Sequence, residues 1–116
     1  MARKGDDIRE RAFRLACDIV GLYDLVAERG FSARRMAGQL VNSGTSIGAN
    51  LEEADGAQSR ADFVSKCTIA LKEARETHYW LRLIAATDKG TDDRLLRECN
   101  EIVAILTSIV RKTRAQ

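Results

Sequence analysis

A chain of 116 residues, 45% apolar and 31% charged, is long enough to bury one core and too short for two independent ones. Nineteen Lys and Arg against seventeen Asp and Glu leave a formal charge of +2. That excludes the strongly basic balance of an obligate nucleic-acid binder, so any phosphate binding has to come from local clustering. No apolar run approaches the roughly 20 residues of a membrane span, and the charged start Arg3-Lys4-Gly5-Asp6-Asp7 has no secretory apolar region, so the expected setting is the cytoplasm, with no membrane partner.

The chain contains no proline, and its punctuation comes from Gly30, Gly56 and Gly90, each followed within three residues by Ser or Thr. A glycine stop followed by a hydroxyl N-cap is a helix-to-helix boundary. Three such boundaries predict four helices, at about residues 7–29, 32–55, 59–88 and 91–113 of a single domain spanning 1–116. The first aligns Ile8, Ala12, Leu15, Ile19, Tyr23 and Val26 on one face, opposite a mostly charged one. The second repeats at Met36, Leu40, Ser43, Ile47, Asn50 and Ala54. The third repeats at Phe63, Cys67, Ala70, Ala74, Thr77, Leu81 and Ile84, and opens on Ser59-Arg60-Ala61-Asp62, which resembles a capping box. The fourth aligns Leu95, Cys99, Ile102, Leu106 and Ile109, with Asp92 and Asp93 suited to its N-terminus. Cys17, Cys67 and Cys99 fall in these apolar segments and read as small buried hydrophobes, not as a disulfide frame or a zinc site. Short loops turn each helix back on the last, so the fold expected is all-α, an antiparallel up-down-up-down four-helix bundle about 35–40 Å long by the helical rise.

Small and polar residues interrupt the apolar stripe of the second helix, in the run Ser43-Gly44-Thr45-Ser46-Ile47-Gly48-Ala49-Asn50. On the third helix a neighbouring stripe reads Ile69, Glu73, Glu76, Trp80, Leu83. Carboxylates held out of water need donors. Ser43, Ser46, Asn50, Glu73, Glu76 and Thr77 are therefore the expected polar core network, with Lys72 or Arg75 as further donors, and its plainest role is to fix helix register. Gly44 and Gly48 each cost about 1 kcal/mol relative to alanine in a helix, which points to a close backbone approach, either within the bundle or to another copy. Tyr79 and Trp80 are candidate interface side chains.

Two chemistries fail on spacing. A di-metal bundle needs Glu-x-x-His on two helices, whereas the single histidine, His78, follows Glu76 by two residues and Glu73 by five. A nucleophilic triad fails because the cysteines sit on apolar faces and His78 has no spacing-linked partner. No metal and no cofactor are expected.

The segment from Ser43 to Leu83 resembles the bacterial four-helix-bundle family named after proteins encoded in intervening sequences of 23S rRNA genes, also labelled ribosomal protein S23. The resemblance lies in Ser43-Gly44-Thr45-Ser46-Ile47 with Ala49-Asn50, Glu53-Ala54, Ser59 with Asp62-Phe63 and Lys66, Ile69-Ala70 with Lys72-Glu73, and Glu76-Thr77 with Tyr79-Trp80-Leu81. That family is similar to the accessory protein of diversity-generating retroelements. What the resemblance implies is a homo-oligomer, in the form of a pentameric ring, without enzymatic activity. The retroelement proteins are more strongly basic than this chain.

In an up-down-up-down bundle the start of the first helix and the end of the fourth share a pole. Arg3, Lys4, Arg9 and Arg11 would meet Arg111, Lys112 and Arg114 there, a candidate electrostatic site for RNA or DNA. Glu52, Glu53 and Asp55 reach the same pole, and solvated termini are the simpler account. Residues 35–54 superficially resemble a helix-turn-helix, but Val41 stands where the turn glycine is needed. The function expected is a self-associating scaffold, contacting itself and potentially another protein, with a nucleic-acid accessory role as the alternative.

Overall fold

The computed structural model describes residues 4–87, 89–90 and 92–116, with side chains from residue 8 onward. Its four helices are α1 (Lys4–Ala27), α2 (Phe31–Asp55), α3 (Arg60–Ala86) and α4 (Asp93–Ala115), and no strand occurs among the described residues.

Each helix runs opposite to the one before it. Arg9, early in α1, meets Asp55 at the end of α2 at 3.1 Å, while Ile19, further along α1, stands against Gly44, further back on α2. Lys66 of α3 reaches Glu53 of α2 at 3.2 Å, and the later Thr77 reaches the earlier Ser43 at 3.0 Å. Arg60 at the start of α3 donates to the Thr113 carbonyl at the end of α4, and mid-helix Cys99 Sγ donates to the Ala74 carbonyl at 3.4 Å. Asp18 and Arg94 close the ring between α1 and α4 at 3.3 Å. The seam between α1 and α4 is the thinnest of the four.

Spacings of three and four place Leu15 and Ile19, Leu40 and Ile47, Leu81 and Ile84, and Ile102 and Leu106 wholly inside. Burying each stabilises the fold by about 1.5–3 kcal/mol. Ala12, Ala37, Ala70 and Ala74 are also fully buried and let the helices approach closely. Cys67 and Cys99 lie in this core as expected, but Cys17 is exposed. The correction follows from the α1 helix itself, because Cys17 falls between Phe13 and Val20 on a second, outward stripe that leaves both of those side chains exposed.

The helix ends differ from expectation by a few residues, and for identifiable reasons. Ser59 caps α3 by accepting from the Asp62 amide at 3.0 Å. Asp92 caps α4, accepting from the Arg94 amide at 2.9 Å, whereas Thr91, the hydroxyl expected there, lies outside the described residues. At the start of α2 the cap is Gly30 itself, with φ 130° and no side-chain bond. That left-handed backbone favours glycine, so Ser32 falls inside the helix. α2 continues unbroken through Val41, which removes the helix-turn-helix.

Candidate functional site

The polar run of α2 separates into an inner pair and an outer seam. Among the described residues Ser43 and Thr77 are the two polar ones buried in the core. The Thr77 hydroxyl donates to Ser43 Oγ at 3.0 Å, with the Glu73 carbonyl at 2.7 Å as its other acceptor, and Ser43 hands its own proton back to the Gln39 or Leu40 carbonyl at 3.2 and 3.3 Å. No buried side-chain polar atom among the described residues lacks a partner.

The rest of the expected network does not cross between helices. Ser46 donates to Asn42 O at 2.7 Å, and Asn50 Nδ2 donates to Ser46 O at 2.8 Å, both within α2. Glu76 is exposed and accepts from Trp80 Nε1 at 3.2 Å, one turn along α3. Asn50 is half-buried, not a core residue, because the step from Ile47 carries it to the α3-facing edge of the stripe. Serine and asparagine side chains bond their own helix carbonyls readily, which satisfies them without a neighbour. Glu73 is different. It is half-buried and its carboxylate has no hydrogen bond or ion pair with a described residue. Burial raises its pKa, with the nearby Glu76 charge adding and Lys72 opposing.

Trp80 and Tyr79 stack edge to face, ring centroids 5.2 Å apart, beside a groove of about 490 Å³ lined by Trp80, Met36, Gln39, Asn42, Arg34 and Arg35 among others. Tyr79 is 53% exposed. Trp80 is half-buried against the core, and the other aromatic residues divide in the same way. Phe13 is 63% exposed and Phe31 78%, while Phe63 and Tyr23 only lean on the core. Phe13, Val20 and Phe31 join the expected interface side chains as exposed apolar surface, and the repeat of Phe13, Cys17 and Val20 at spacings of four and three is their signal in the sequence.

The two glycines face α1 of the same chain. A Cβ on Gly44 would stand 2.6 Å from Ile19 Cδ1, and one on Gly48 3.7 Å from Ala12 Cβ. The close approach is therefore within the bundle, and it is tight at Gly44 alone.

At the pole formed by the start of α1 and the end of α4, Arg9 bonds Glu52 at 3.5 Å and Asp55 at 3.1 Å. Arg11 turns to α4 and grips Glu98 with two donors, with Glu101 at 3.3 Å. That grip raises the Arg11 pKa and lowers that of Glu98. Two of the expected phosphate ligands are thus engaged in ion pairs, because acidic residues of α2 and α4 lie directly opposite them. Arg3 and Lys4 lie outside the described side chains. Arg111, Lys112 and Arg114 are exposed and form no ion pair among the described residues.

Among the described residues no group of His, Cys, Asp and Glu is placed to hold a metal ion, and no helix is long and apolar enough to cross a membrane. His78 is half-buried, its pKa lowered by burial and by Arg82.

Residues 5–108 match the family described as 23S rRNA-intervening sequence protein. The crystal structure of a protein with unknown function from the S23 ribosomal protein family of Bacteroides thetaiotaomicron VPI-5482 is similar at a TM-score of 0.84, with 40% identity over 94% of this chain and 99% of that one. No curated protein matches. Matching that family over most of its length and sharing the fold of an S23-family structure, the chain belongs to the 23S rRNA-intervening sequence protein family.

Proposed function

We propose that the protein is a non-enzymatic helical bundle that assembles with copies of itself and serves as a scaffold, with a closed ring of five as the expected form. The observation that carries it is the position of the aromatic side chains. The chain has three Phe, two Tyr and one Trp, and none of the six is among its buried residues. Aromatic rings are the side chains that contribute most to a core per residue, and they are enriched at the centres of protein interfaces. A bundle that fills its core with small and aliphatic side chains, covers Tyr23, Phe63 and Trp80 only in part and leaves Phe13, Phe31 and Tyr79 exposed has surface suited to covering by another copy. The Glu73 carboxylate, half out of water without a donor, supports the same conclusion, since a neighbouring copy can supply one.

Light scattering and sedimentation at micromolar concentration test it. The expected mass is five times the 12.9 kDa of the chain, and a monomer overturns the proposal. Phe13→Ser with Val20→Ser alters side chains that are already exposed, so the helices persist by circular dichroism while the assembly weakens.

A further inference from the structure

Between α3 and α4 runs a groove of about 470 Å³, floored by Leu71 and Val110 and rimmed by Lys72, Arg75, Arg111 and Arg114. No carboxylate lines it. All four rim cations are exposed, and none forms an ion pair or hydrogen bond with a described residue. Elsewhere on the bundle Glu52 and Asp55 pair with Arg9, Glu53 with Lys66, and Glu98 and Glu101 with Arg11, while Glu73, beside Lys72 on α3, feels the Lys72 charge without forming an ion pair with it. A chain of near-zero net charge has thus gathered four cations without an ion-pair partner among the described residues on one seam.

The geometry selects the kind of anion. The lining residues span 68–75 on α3 and 107–114 on α4, about 11 Å along each helix at 1.5 Å per residue. Cations strung out over that length do not converge on one small ion, but they match a linear polyanion. Thr68 and Thr107 donate to the Val64 and Val103 carbonyls at 2.7 Å each, so their protons are not free to read a ligand. The floor residues Leu71 and Val110 are themselves buried and leave no apolar socket for the anchor side chains that hold a peptide in a groove. Arginine forks pair with phosphate oxygens, and charge alone suffices for backbone binding.

We propose that the α3–α4 groove is a nucleic-acid site, in which a single phosphodiester strand lies between the helices with its phosphates against Lys72, Arg75, Arg111 and Arg114 and its bases unread. All four ligands come from one chain, so the site stands whether or not the scaffold proposal does.

Fluorescence anisotropy of the full chain with a labelled 20-residue oligo-U RNA and an oligo-dT DNA tests it, with light scattering recording the oligomeric state in parallel. Four phosphate contacts on a single strand weaken binding by about 50-fold between 50 and 200 mM salt. The triple variant Lys72→Gln, Arg111→Gln, Arg114→Gln, with helicity checked by circular dichroism, binds at least tenfold more weakly at low salt and with a flatter salt dependence. Arg34→Gln with Arg35→Gln, on the outer face of α2, stays within twofold of the unaltered chain. Binding of either or both nucleic acids that the triple variant loses supports the site. Absence of binding at 50 mM salt, a triple variant within twofold, or equally strong competition by polyglutamate overturns it.

Discussion

Cδ1 of Ile19 occupies the space that a side chain at Gly44 needs. The two helices meet so closely there that an added Cβ would stand 2.6 Å from Cδ1 and 3.2 Å from Cγ2. Ile19 is wholly buried and has little room to yield. Gly44→Ala is therefore destabilising: overpacking costs about 1–3 kcal/mol, of which improved helix propensity returns about 1 kcal/mol. Gly48→Ala meets only ordinary contact with Ala12 and gains about 0.5–1 kcal/mol. Adding Ile19→Val to Gly44→Ala deletes the crowded methyl and recovers part of the loss. Urea unfolding of the three variants checks this, and a Gly44→Ala chain as stable as Gly48→Ala refutes it.

The Ser43–Thr77 bond joins α2 to α3, but each hydroxyl also has a carbonyl of its own helix within reach. Thr77→Val and Ser43→Ala each lower stability by about 1 kcal/mol and not by the larger penalty of an orphaned polar group. A double-mutant cycle isolates the pair, with an expected coupling of about 1 kcal/mol. Zero coupling means that each hydroxyl serves its own helix alone.

Two carboxylates tilt the pH dependence in opposite directions. The Arg11 hydrogen bond, outweighing burial, holds Glu98 below its ordinary pKa of 4.5, so its contribution is present at neutral pH and is lost as the pH falls through the lowered value. Burial, reinforced by Glu76, lifts Glu73 above 4.5. The folded chain then holds that proton more tightly than the unfolded one, and stability falls as pH rises from 4.5 through the lifted value. At pH 7 Glu98→Gln costs about 1 kcal/mol, as for a half-exposed pair, while Glu73→Gln is neutral or stabilising. Both differences shrink in acid. Urea titrations across the acid range read the signs directly, and a Glu73→Gln chain less stable at pH 7 contradicts the assignment.

Thiol labelling separates the three cysteines. Burial pushes Cys99 up to about 12 and raises Cys67, whereas Cys17 is exposed. A maleimide at neutral pH adds one label, on Cys17, to the folded chain and three after unfolding, as mass spectrometry counts them. Native labelling of Cys99 would mean that the core opens far more readily than its packing implies.

Much of the fold is legible in the sequence because apolar spacing, glycine stops and capping side chains all point to four helices. Asn50 shows where periodicity loses resolution. One residue's rotation around the helix separates a core position from the edge of a groove, and the pattern of threes and fours does not distinguish them. The carboxylates of Glu73 and Glu76 were readable as a stripe beside the core, but not as one that finds no donor across the seam, since that depends on Ser46 and Asn50 turning back to their own helix. Cys17 escapes the pattern because apolar neighbours do not by themselves mark a core position: Phe13 and Val20 are themselves exposed. The pairing of Arg11 with Glu98 spans most of the chain, and no local signal encodes it. The cations of the α3–α4 groove come from two helices that only the folded arrangement sets side by side.

The thin contact between the first and last helices has a kinetic side. Each of the other three interfaces joins helices consecutive in sequence, so they can zip up through short loops at little entropic cost. The α1–α4 edge is closed by drawing together distant parts of the chain, with Arg11, Glu98, Asp18 and Arg94 as its clasp. With no proline to isomerise, this clasp is the natural last step in reaching the native state and the first place for it to loosen. Amide hydrogens along α4 should accordingly exchange ahead of those of α2 and α3.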